Sequence, residues 1–373
     1  MPPPATLRRA RLQQLFSHQT RGPADPLEIT GMKLWPLREP KSGRRYTILR
    51  LDTRSGVQGY GECGTVAPRE ADLARQAING TAASAYEVVS RRLEGAPTVR
   101  SAVDMAMLDI LSRHAKAPLY QVLGGPTRFK VRAMAPLDGA AALDRAQALG
   151  FRAFAVPAPV NEFRNAGRSY VQRVATLMDR LRRAASPEAD FVLEAGGQLV
   201  AGDAQSVAAE LERFHLLWFD EPARLSNLGA VRKIAGESVT PLGFGRTLRT
   251  AGDFQDLLRE DAVDILRPDL AWHGVSQVKR IAALAETYYV AVAPYHDGGP
   301  LGTAAALHLA ACLPNFFIQQ IPSPVAAEDR EMRAALVSPA VETVKDGFAA
   351  LPTGPGFGVT VSESALERYR ENA

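Results

Sequence analysis

The feature that most constrains this chain is a series of short apolar segments, each of which ends abruptly in a polar residue. The segments read FVLEAGGQ, LLWFDEP, TPLGFGR, VDILRPD, VAVAPYH and NFFIQQ, and their polar ends are Glu194, Asp220, Arg246, Asp269, Tyr295 and Gln320. A short apolar run that turn signals bound is typical of a buried strand. Successive ends lie about 25 residues apart, which is the length of a strand with its returning helix. The spacing therefore predicts a parallel (βα)8 barrel whose polar strand ends meet at one rim.

The chain before this series has a different pattern. Residues 27–66 alternate apolar and polar positions between glycines, as β-strands do, and residues 69–123 have apolar positions at helical spacing. We therefore predict four parts: a flexible N-terminal arm (1–26), an α+β lobe (27–128), the barrel (129–325) and a C-terminal segment that packs back on the lobe (326–373).

Composition and charge exclude several classes of protein. The formal net charge is +4 and the sequence pI is about 9.1, but arginine is spread along the chain, so a nucleic-acid-binding surface is not predicted. No apolar run approaches membrane-spanning length, and the N-terminal residues lack the apolar core of a signal peptide. We expect a cytoplasmic protein that binds neither nucleic acid nor membrane. The two cysteines, Cys63 and Cys312, are expected to be buried free thiols.

Several motifs, in the same order along the chain, resemble the enolase superfamily and, within it, the mandelate racemase and acid-sugar dehydratase branch. They are GYGE near residue 60, AVDMAMLDI, APLYQVLGG, FDEP, RPDLAWHG, GGPLGTAAALHLAACLPNF and DGFAALPTGPGFGV. The resemblance implies a modified barrel of the (β/α)7β type under an N-terminal α+β capping domain, and a homo-oligomer. It also implies a chemistry in which a base removes the proton alpha to a carboxylate, while Mg2+ on three carboxylates stabilises the enediolate.

The resemblance places the three metal ligands of the family on Glu194, Asp220 and Arg246, so a guanidinium replaces the third carboxylate. A guanidinium stays protonated and cannot ligate a cation, whereas Mg2+ prefers several negatively charged oxygen ligands. In the interpretation that we favour, Arg246 forks onto Glu194 and Asp220 and takes the place of the metal. In the other interpretation, a metal stays on Glu194, Asp220 and Glu221 while Arg246 swings away.

The positions of the catalytic bases of the family are also changed. Its Lys-x-Lys motif falls on Ala155 and Pro157, which can neither take nor give a proton. The aspartate of its His–Asp dyad is kept as Asp269, whereas the histidine falls on Tyr295, with His296 adjacent. These three are the candidate catalytic residues. Two interpretations stay open for His296: it is a base, or it faces away because neighbouring strand residues point to opposite sides.

The remaining candidates concern the ligand. The electrophilic glutamate of the family falls on Gln320, and the candidate substrate-binding residues are Arg246, Gln320 and Glu221. Three functions fit these residues. The first is a lyase or isomerase with altered residues that acts on a small carboxylate such as an acid sugar. The second is a metal-free carboxylate-binding protein or pseudoenzyme in which Arg246 grips the ligand, and the third is a structural or regulatory scaffold. The fold alone does not choose among them.

Overall fold

The structure is a computed structural model that describes residues 25–163, 167–225 and 228–371. The N-terminal arm predicted over residues 1–26 lies outside the described residues except for its last two positions. None of the described helices is both long enough and apolar enough to cross a bilayer. The described elements form an N-terminal cap, a barrel and a C-terminal segment that joins the two.

The cap begins with a three-stranded antiparallel sheet. Its strands are β1 (Ile29–Arg38), β2 (Arg45–Thr53) and β3 (Gln58–Cys63). The helices that follow are α1 (Pro68–Ile78), α2 (Tyr86–Arg92), α3 (Pro97–His114) and α4 (Leu119–Val122). Most of α3 is buried, because it packs against both β3 and the barrel. Gly59 and Gly61 allow the close packing of β3 on α3, since a Cβ at either position would collide with the helix backbone.

Among the described residues, eight parallel strands form the barrel. They are β4 (Lys130–Pro136), β5 (Ala153–Pro157), β6 (Asp190–Glu194), β7 (Trp218–Asp220), β8 (Leu242–Phe244), β9 (Ile265–Leu266), β10 (Ala291–Val292) and β11 (Gln319–Gln320). The helices between them are α5 (Leu143–Ala148), α6 (Arg168–Ala184), α7 (Ala201–Leu211), α8 (Leu228–Ala235), α9 (Ala251–Arg259), α10 (Leu270–Glu286) and α11 (Pro300–Ala310). β11 pairs with β4, and a bridge between Val292 and Phe316 closes the barrel. The predicted (β/α)7β barrel with an α+β cap is therefore confirmed.

The C-terminal segment runs from the barrel back to the cap. Its elements are α12 (Ala327–Leu336), β12 (Val337–Ser338), β13 (Val344–Lys345), β14 (Phe348–Ala350), β15 (Thr360–Val361) and α13 (Glu363–Arg368). β14 extends the barrel sheet by pairing antiparallel with β4. α13 reaches the cap, where Glu367 accepts hydrogen bonds from the side chains of Lys33 and Trp35 in β1. The segment therefore holds the two larger parts together.

Alternation along the barrel strands decides which side chains line the interior. Five of the buried apolar residues of one cluster inside the barrel lie in or directly beside different strands: Val192, Trp218, Ile265, Ala293 and Ile318. In an extended strand, the residue two positions further along points to the same side. The residues two positions after these five therefore form the next layer, towards the C-terminal rim of the barrel.

Asp109 of α3 ties the cap to the C-terminal segment. Its buried carboxylate accepts hydrogen bonds from the amides of Tyr60 at 3.0 Å and Phe357 at 2.9 Å, and from Nε of Arg113 at 2.8 Å. Gly356 lies against it with φ of 68°, and a Cβ there would lie 2.1 Å from Asp109 Oδ1. Burial raises the pKa of Asp109, and the Arg113 cation opposes the shift without cancelling it. The GPGFG sequence is thus shaped to fit this carboxylate.

We expect Asp109→Ala to lower the free energy of unfolding by about 3 kcal/mol, because it leaves two buried amides and a cation without their acceptor. Chemical denaturation would measure the change. The matched control is Asp72→Ala, which removes an exposed carboxylate paired with Arg75 and should cost at most about 0.5 kcal/mol. A similar small loss in both variants would contradict the role given to Asp109.

Candidate functional site

Six side chains meet at the C-terminal rim of the barrel, and we call them the rim cluster. They are Glu194, Asp220, Arg246, Arg267, Tyr295 and Gln320. All of them except Arg246 stand two positions beyond a residue of the apolar interior cluster. Arg246 joins from the loop after β8, where Gly245 has φ of 130°. The strand pattern and this turn together bring opposite charges to one place.

Arg246 lies between Glu194 and Asp220. Its Nη1 donates a hydrogen bond to Glu194 Oε1 at 3.2 Å, and its Nε is 3.2 Å from Asp220 Oδ2. Burial alone would lower the pKa of Arg246, but the carboxylates of Asp220 and Glu194 outweigh it and raise that pKa above its ordinary value. The guanidinium is therefore a permanent cation that bridges two carboxylates.

Arg267 is a second cation in the rim cluster, and the spacing of strand ends did not identify it. Its Nη1 lies 3.0 Å from Glu194 Oε1 and 2.9 Å from Asp220 Oδ2, and only 1% of its side chain is exposed. The spacing of about 25 residues points to Asp269, which lies two residues after Arg267. The signal that finds it is alternation, since Arg267 follows Ile265 by two positions as Asp220 follows Trp218.

Gln320 and Trp218 add hydrogen bonds to the charged groups. Arg267 Nη2 donates to Gln320 Oε1 at 2.7 Å, and Gln320 Nε2 donates to the carbonyl of His296 at 3.2 Å. The indole Nε1 of Trp218 donates to Asp220 Oδ1 at 2.8 Å. Both ends of the Gln320 side chain are therefore engaged within the protein, which makes Gln320 a support for the cations.

Tyr295 lies against both guanidinium groups. Its ring centre is 5.0 Å from Cζ of Arg246 and 5.3 Å from Cζ of Arg267, within the range of cation–π attraction. Burial, reinforced by Asp297, raises the pKa of Tyr295 to about 12. The phenol is therefore protonated at neutral pH, so it can donate a hydrogen bond but cannot act as a resting base.

Glu221, a candidate substrate-binding residue, does not take part in the rim cluster. It follows the last residue of β7, and its φ of 45° takes the backbone out of the strand conformation. Its carboxylate is buried and accepts hydrogen bonds from the amides of Gly245 and Arg246, both at 2.9 Å. Burial, and then the charge of Asp220, raise its pKa. The alternative metal site on Glu194, Asp220 and Glu221 has no support in this geometry.

The His296 side chain also turns away from the rim cluster, as in the second of the two interpretations that the sequence left open. Its Nε2 is 3.1 Å from both the carbonyl of Gly299 and Oγ1 of Thr303, and the residue is buried. Burial, and then the charge of Arg333, lower its pKa to about 4. The ring is neutral at ordinary pH. Strand alternation explains the placement, because Tyr295 takes the inward position.

Asp269 begins α10 as its N-cap and does not end a strand. Its Oδ1 accepts a hydrogen bond from the amide of Ala271 at 3.0 Å, and its Oδ2 is 3.8 Å from Nη1 of Arg249. Burial raises its pKa to about 6 although these partners oppose the shift. Of the three candidate catalytic residues, Asp269 is thus the one with a pKa near neutrality.

β5 forms the part of the rim next to Glu194. Ala155 belongs to the buried interior of the barrel, and Pro157 ends the strand beside Glu194. Neither side chain can take or give a proton. The described part of the chain therefore places no proton acceptor at the two positions where the family resemblance implies lysines.

Two family models match the chain. Residues 38–124 match the N-terminal domain of mandelate racemase and muconate lactonizing enzyme, and residues 138–365 match the enolase C-terminal-domain-like model. The two matches cover most of the cap and most of the barrel.

Individual relatives agree with this assignment. A D-galactonate dehydratase of Ralstonia pickettii is 28% identical over 369 residues, which cover 91% of this chain and 95% of the relative. The crystal structure of a protein from Agrobacterium radiobacter, described as a putative galactarate dehydratase bound to Na and L-malate, is 27% identical with a TM-score of 0.83 and covers 92% of this chain and 95% of that one. A mandelate racemase/muconate lactonizing enzyme-like structure from Labrenzia alexandrii has a TM-score of 0.84 at 23% identity, covers 92% and 97% of the two chains, and shows the shared fold.

Proteins of this kind typically use Mg2+, but the donor set of this chain does not fit it. The rim cluster holds two carboxylates and two guanidiniums, so its formal charge is zero. A divalent ion 4 Å from one guanidinium would be repelled by about 8 kcal/mol at an effective dielectric constant near 20. Within the described residues, no group of three or more His, Cys, Asp and Glu side chains is arranged to hold a metal ion. The guanidiniums occupy the place between the carboxylates.

We expect protein prepared in the presence of Mg2+ to contain no stoichiometric divalent ion, because the rim cluster is already neutral. Elemental analysis and calorimetric titration with Mg2+ would measure this. One tight equivalent per chain would refute the assignment.

We expect the double variant Arg246→Glu with Arg267→Gln to gain a divalent-ion site. It places three carboxylates at the rim and removes both guanidiniums, which supplies the charge and the oxygen donors that Mg2+ requires. Without metal the three carboxylates repel one another and the protein should be less stable. Added Mg2+ should then raise its melting temperature by mass action.

The control for this experiment is Arg267→Gln alone, which keeps Arg246 between the carboxylates. Its melting temperature should not respond to Mg2+. If the double variant is equally indifferent, the rim carboxylates are not disposed to meet at one ion.

Proposed function

The chain belongs to the mandelate racemase/muconate lactonizing enzyme family of the enolase superfamily, and we propose that it is a metal-independent binding protein for a small hydroxy acid of the sugar-acid class. The ligand lies at the mouth of the barrel, with its carboxylate on Arg246. This function follows the dehydratase-like branch in the class of ligand and departs from it in the chemistry.

One observation carries the proposal: the cation at the centre of the rim cluster is a side chain. Three carboxylates with one bound Mg2+ have a formal charge of −1, whereas Glu194, Asp220, Arg246 and Arg267 sum to zero. The mouth without metal is therefore no less favourable to an anion than a metal-loaded site. A guanidinium also offers the planar N–H groups that match a carboxylate.

The same residues argue against efficient proton abstraction. Ala155 and Pro157 cannot act as bases, and His296 is held by Gly299 and Thr303. Tyr295 has a pKa of about 12 and is protonated at neutral pH. A base must be within hydrogen-bond reach of the proton and have a pKa near the working pH. These positions do not meet both conditions.

The relatives indicate which ligands to test. The similar proteins are described as acting on D-galactonate and, for the crystal structure, as a putative galactarate dehydratase bound to L-malate. All three compounds are hydroxy acids. The carboxylates of Glu194 and Asp269, which are partly exposed at the rim, are suited to accept hydrogen bonds from ligand hydroxyls.

A second candidate function is a slow, metal-free lyase or isomerase that uses Asp269 as its base. The observation that favours it is the pKa of about 6 that burial gives this carboxyl. Such a base is active when ionised, so the rate would rise with pH through about 6 and then level off.

We expect D-galactonate or a related hydroxy acid to bind in the presence of a chelator, and Arg246→Gln to weaken binding about 30-fold or more, because it removes the cation and leaves two carboxylates facing the ligand. Isothermal titration calorimetry would measure both affinities. The control is Arg213→Gln, which removes an exposed arginine paired with Asp179 and Glu210 and should leave the affinity unchanged.

Exchange of the ligand α-proton in D2O separates the two functions. A binding protein leaves this proton in place, as followed by NMR. Exchange that disappears in Asp269→Asn would favour the enzyme, and affinity that is equal in Arg246→Gln and the wild type would contradict both functions at this site.

A further inference from the structure

A buried hydrogen-bonded chain links the cap to the rim cluster. It begins at the hairpin between β1 and β2, residues 39–44, which we call the cap hairpin, and it ends at Arg267. Its members, in order, are Glu39, Arg333, Glu342, Thr303, His296, Gln320 and Arg267. All of them except Glu342, which is largely buried, have at most 2% of their surface exposed. Only its last two members belong to the rim cluster.

Arg333 of α12 holds the cap end of this chain. Its Nη1 donates to Glu39 Oε1 at 2.6 Å, and its Nε donates to Glu342 Oε2 at 2.8 Å. The same helix holds the hairpin a second time, because Asp329 accepts hydrogen bonds from the amides of Lys41 at 2.8 Å and Ser42 at 2.9 Å. The position of the cap hairpin therefore depends on α12 and its charged side chains.

Thr303 and His296 carry the connection towards the mouth. Oγ1 of Thr303 donates to Glu342 Oε1 at 2.8 Å and is 3.1 Å from His296 Nε2. Because the carbonyl of Gly299 can only accept, the hydrogen bond to it requires that His296 carry its proton on Nε2. The ring fits closely, since a Cβ at Gly302 would lie 2.4 Å from its Cε1.

The backbone of His296 connects this chain to the charged groups. Its carbonyl accepts from Gln320 Nε2 at 3.2 Å, and Gln320 Oε1 accepts from Arg267. Arg267 in turn lies against Glu194 and Asp220. A displacement of His296 would thus move Gln320 and also Tyr295, its neighbour in the chain, which packs on both guanidiniums.

We propose that this chain of hydrogen bonds couples the cap hairpin to ligand binding at the barrel mouth, with Thr303 and His296 as positioning residues. The proposal rests on the proposed function for the ligand that it couples to. It gives the buried histidine next to Tyr295 a role other than catalysis. By reciprocity, a ligand at the rim cluster stabilises the docked cap hairpin, and a loosened hairpin weakens the ligand.

The test uses the full chain and two variants of Thr303. Thr303→Val keeps the shape of the side chain and removes the hydroxyl that joins Glu342 to His296, whereas Thr303→Ser keeps the hydroxyl. We expect Thr303→Val to weaken D-galactonate binding about tenfold and Thr303→Ser to stay within about twofold of the wild type. Calorimetry measures the affinities. Hydrogen–deuterium exchange measures how fast the backbone amides of residues 39–44 exchange with and without D-galactonate.

The control is Thr240→Val. The Thr240 hydroxyl is also buried and donates to the carbonyl of Ala208 at 2.9 Å, at the start of β8 and the far end of the barrel from the mouth. The Thr240→Val variant should lower the melting temperature about as much as Thr303→Val does. Only Thr303→Val should speed exchange of the cap hairpin and remove its protection by the ligand.

The outcomes separate this proposal from the proposed function. If Thr303→Val loses stability as Thr240→Val does but keeps its affinity and its hairpin exchange, Thr303 is merely structural and the coupling is refuted. If the wild type binds none of the hydroxy acids, the proposed function fails, and hairpin exchange in the two ligand-free valine variants still decides the coupling: equal exchange overturns it.

Discussion

The arrangement of the barrel mouth depends on the compensation of buried charge. A guanidinium with 1% of its side chain exposed, that of Arg267, is tolerated only where carboxylates and hydrogen bonds replace water. Glu194 and Asp220 supply the charge, and Gln320 takes one N–H. The second guanidinium then shares the same two carboxylates, so no member can be removed without exposing another. This mutual dependence makes the cluster a unit, and it leaves a third cation, such as a metal ion, without a place.

The fold could be predicted well from the sequence because the spacing of the strand ends determines it. Strand ends about 25 residues apart require parallel strands with returning helices, and the cap has its own alternating pattern. The placement of single side chains was harder. Glu194, Asp220 and Arg246 stand together at the strand ends where the spacing predicted a rim. Glu221 and His296 each lie one residue after an inward position, Glu221 with a φ of 45°, and both side chains find their partners away from the rim cluster.

Arg267 shows why the rest of the site could not be read from spacing alone. Alternation places Arg267 on the inward side of its strand, but the local pattern does not identify the groups that compensate its charge. These groups come from β6, β7 and β11, which are 73 and 53 residues distant for Glu194 and Gln320. Long-range compensation of this kind has no local signal. The same holds for Arg333, whose partners come from the cap and from the C-terminal segment.

The motifs that carry the family resemblance are largely those that join the parts of the molecule. Asp109 and the GPGFG turn fit each other, and Glu62 of GYGE accepts hydrogen bonds from the amides of Gly299 and Gly302 at the start of α11. These contacts do not touch the rim cluster. Sequence similarity can therefore persist across the joints of the structure while the residues of the mouth change.

The replacement of the metal by a guanidinium and the replacement of the lysine bases fit together energetically. Proton abstraction alpha to a carboxylate is accelerated only by interactions that strengthen as negative charge develops. A guanidinium carries one diffuse charge, so its attraction for that developing charge is about half that of a divalent ion at the same distance. Nε and Nη1 of Arg246 are also committed to Asp220 and Glu194. The part of the Arg246 guanidinium that stays free for a ligand thus favours a stable carboxylate over an enediolate. A lysine base beside it would therefore accelerate proton abstraction only slightly.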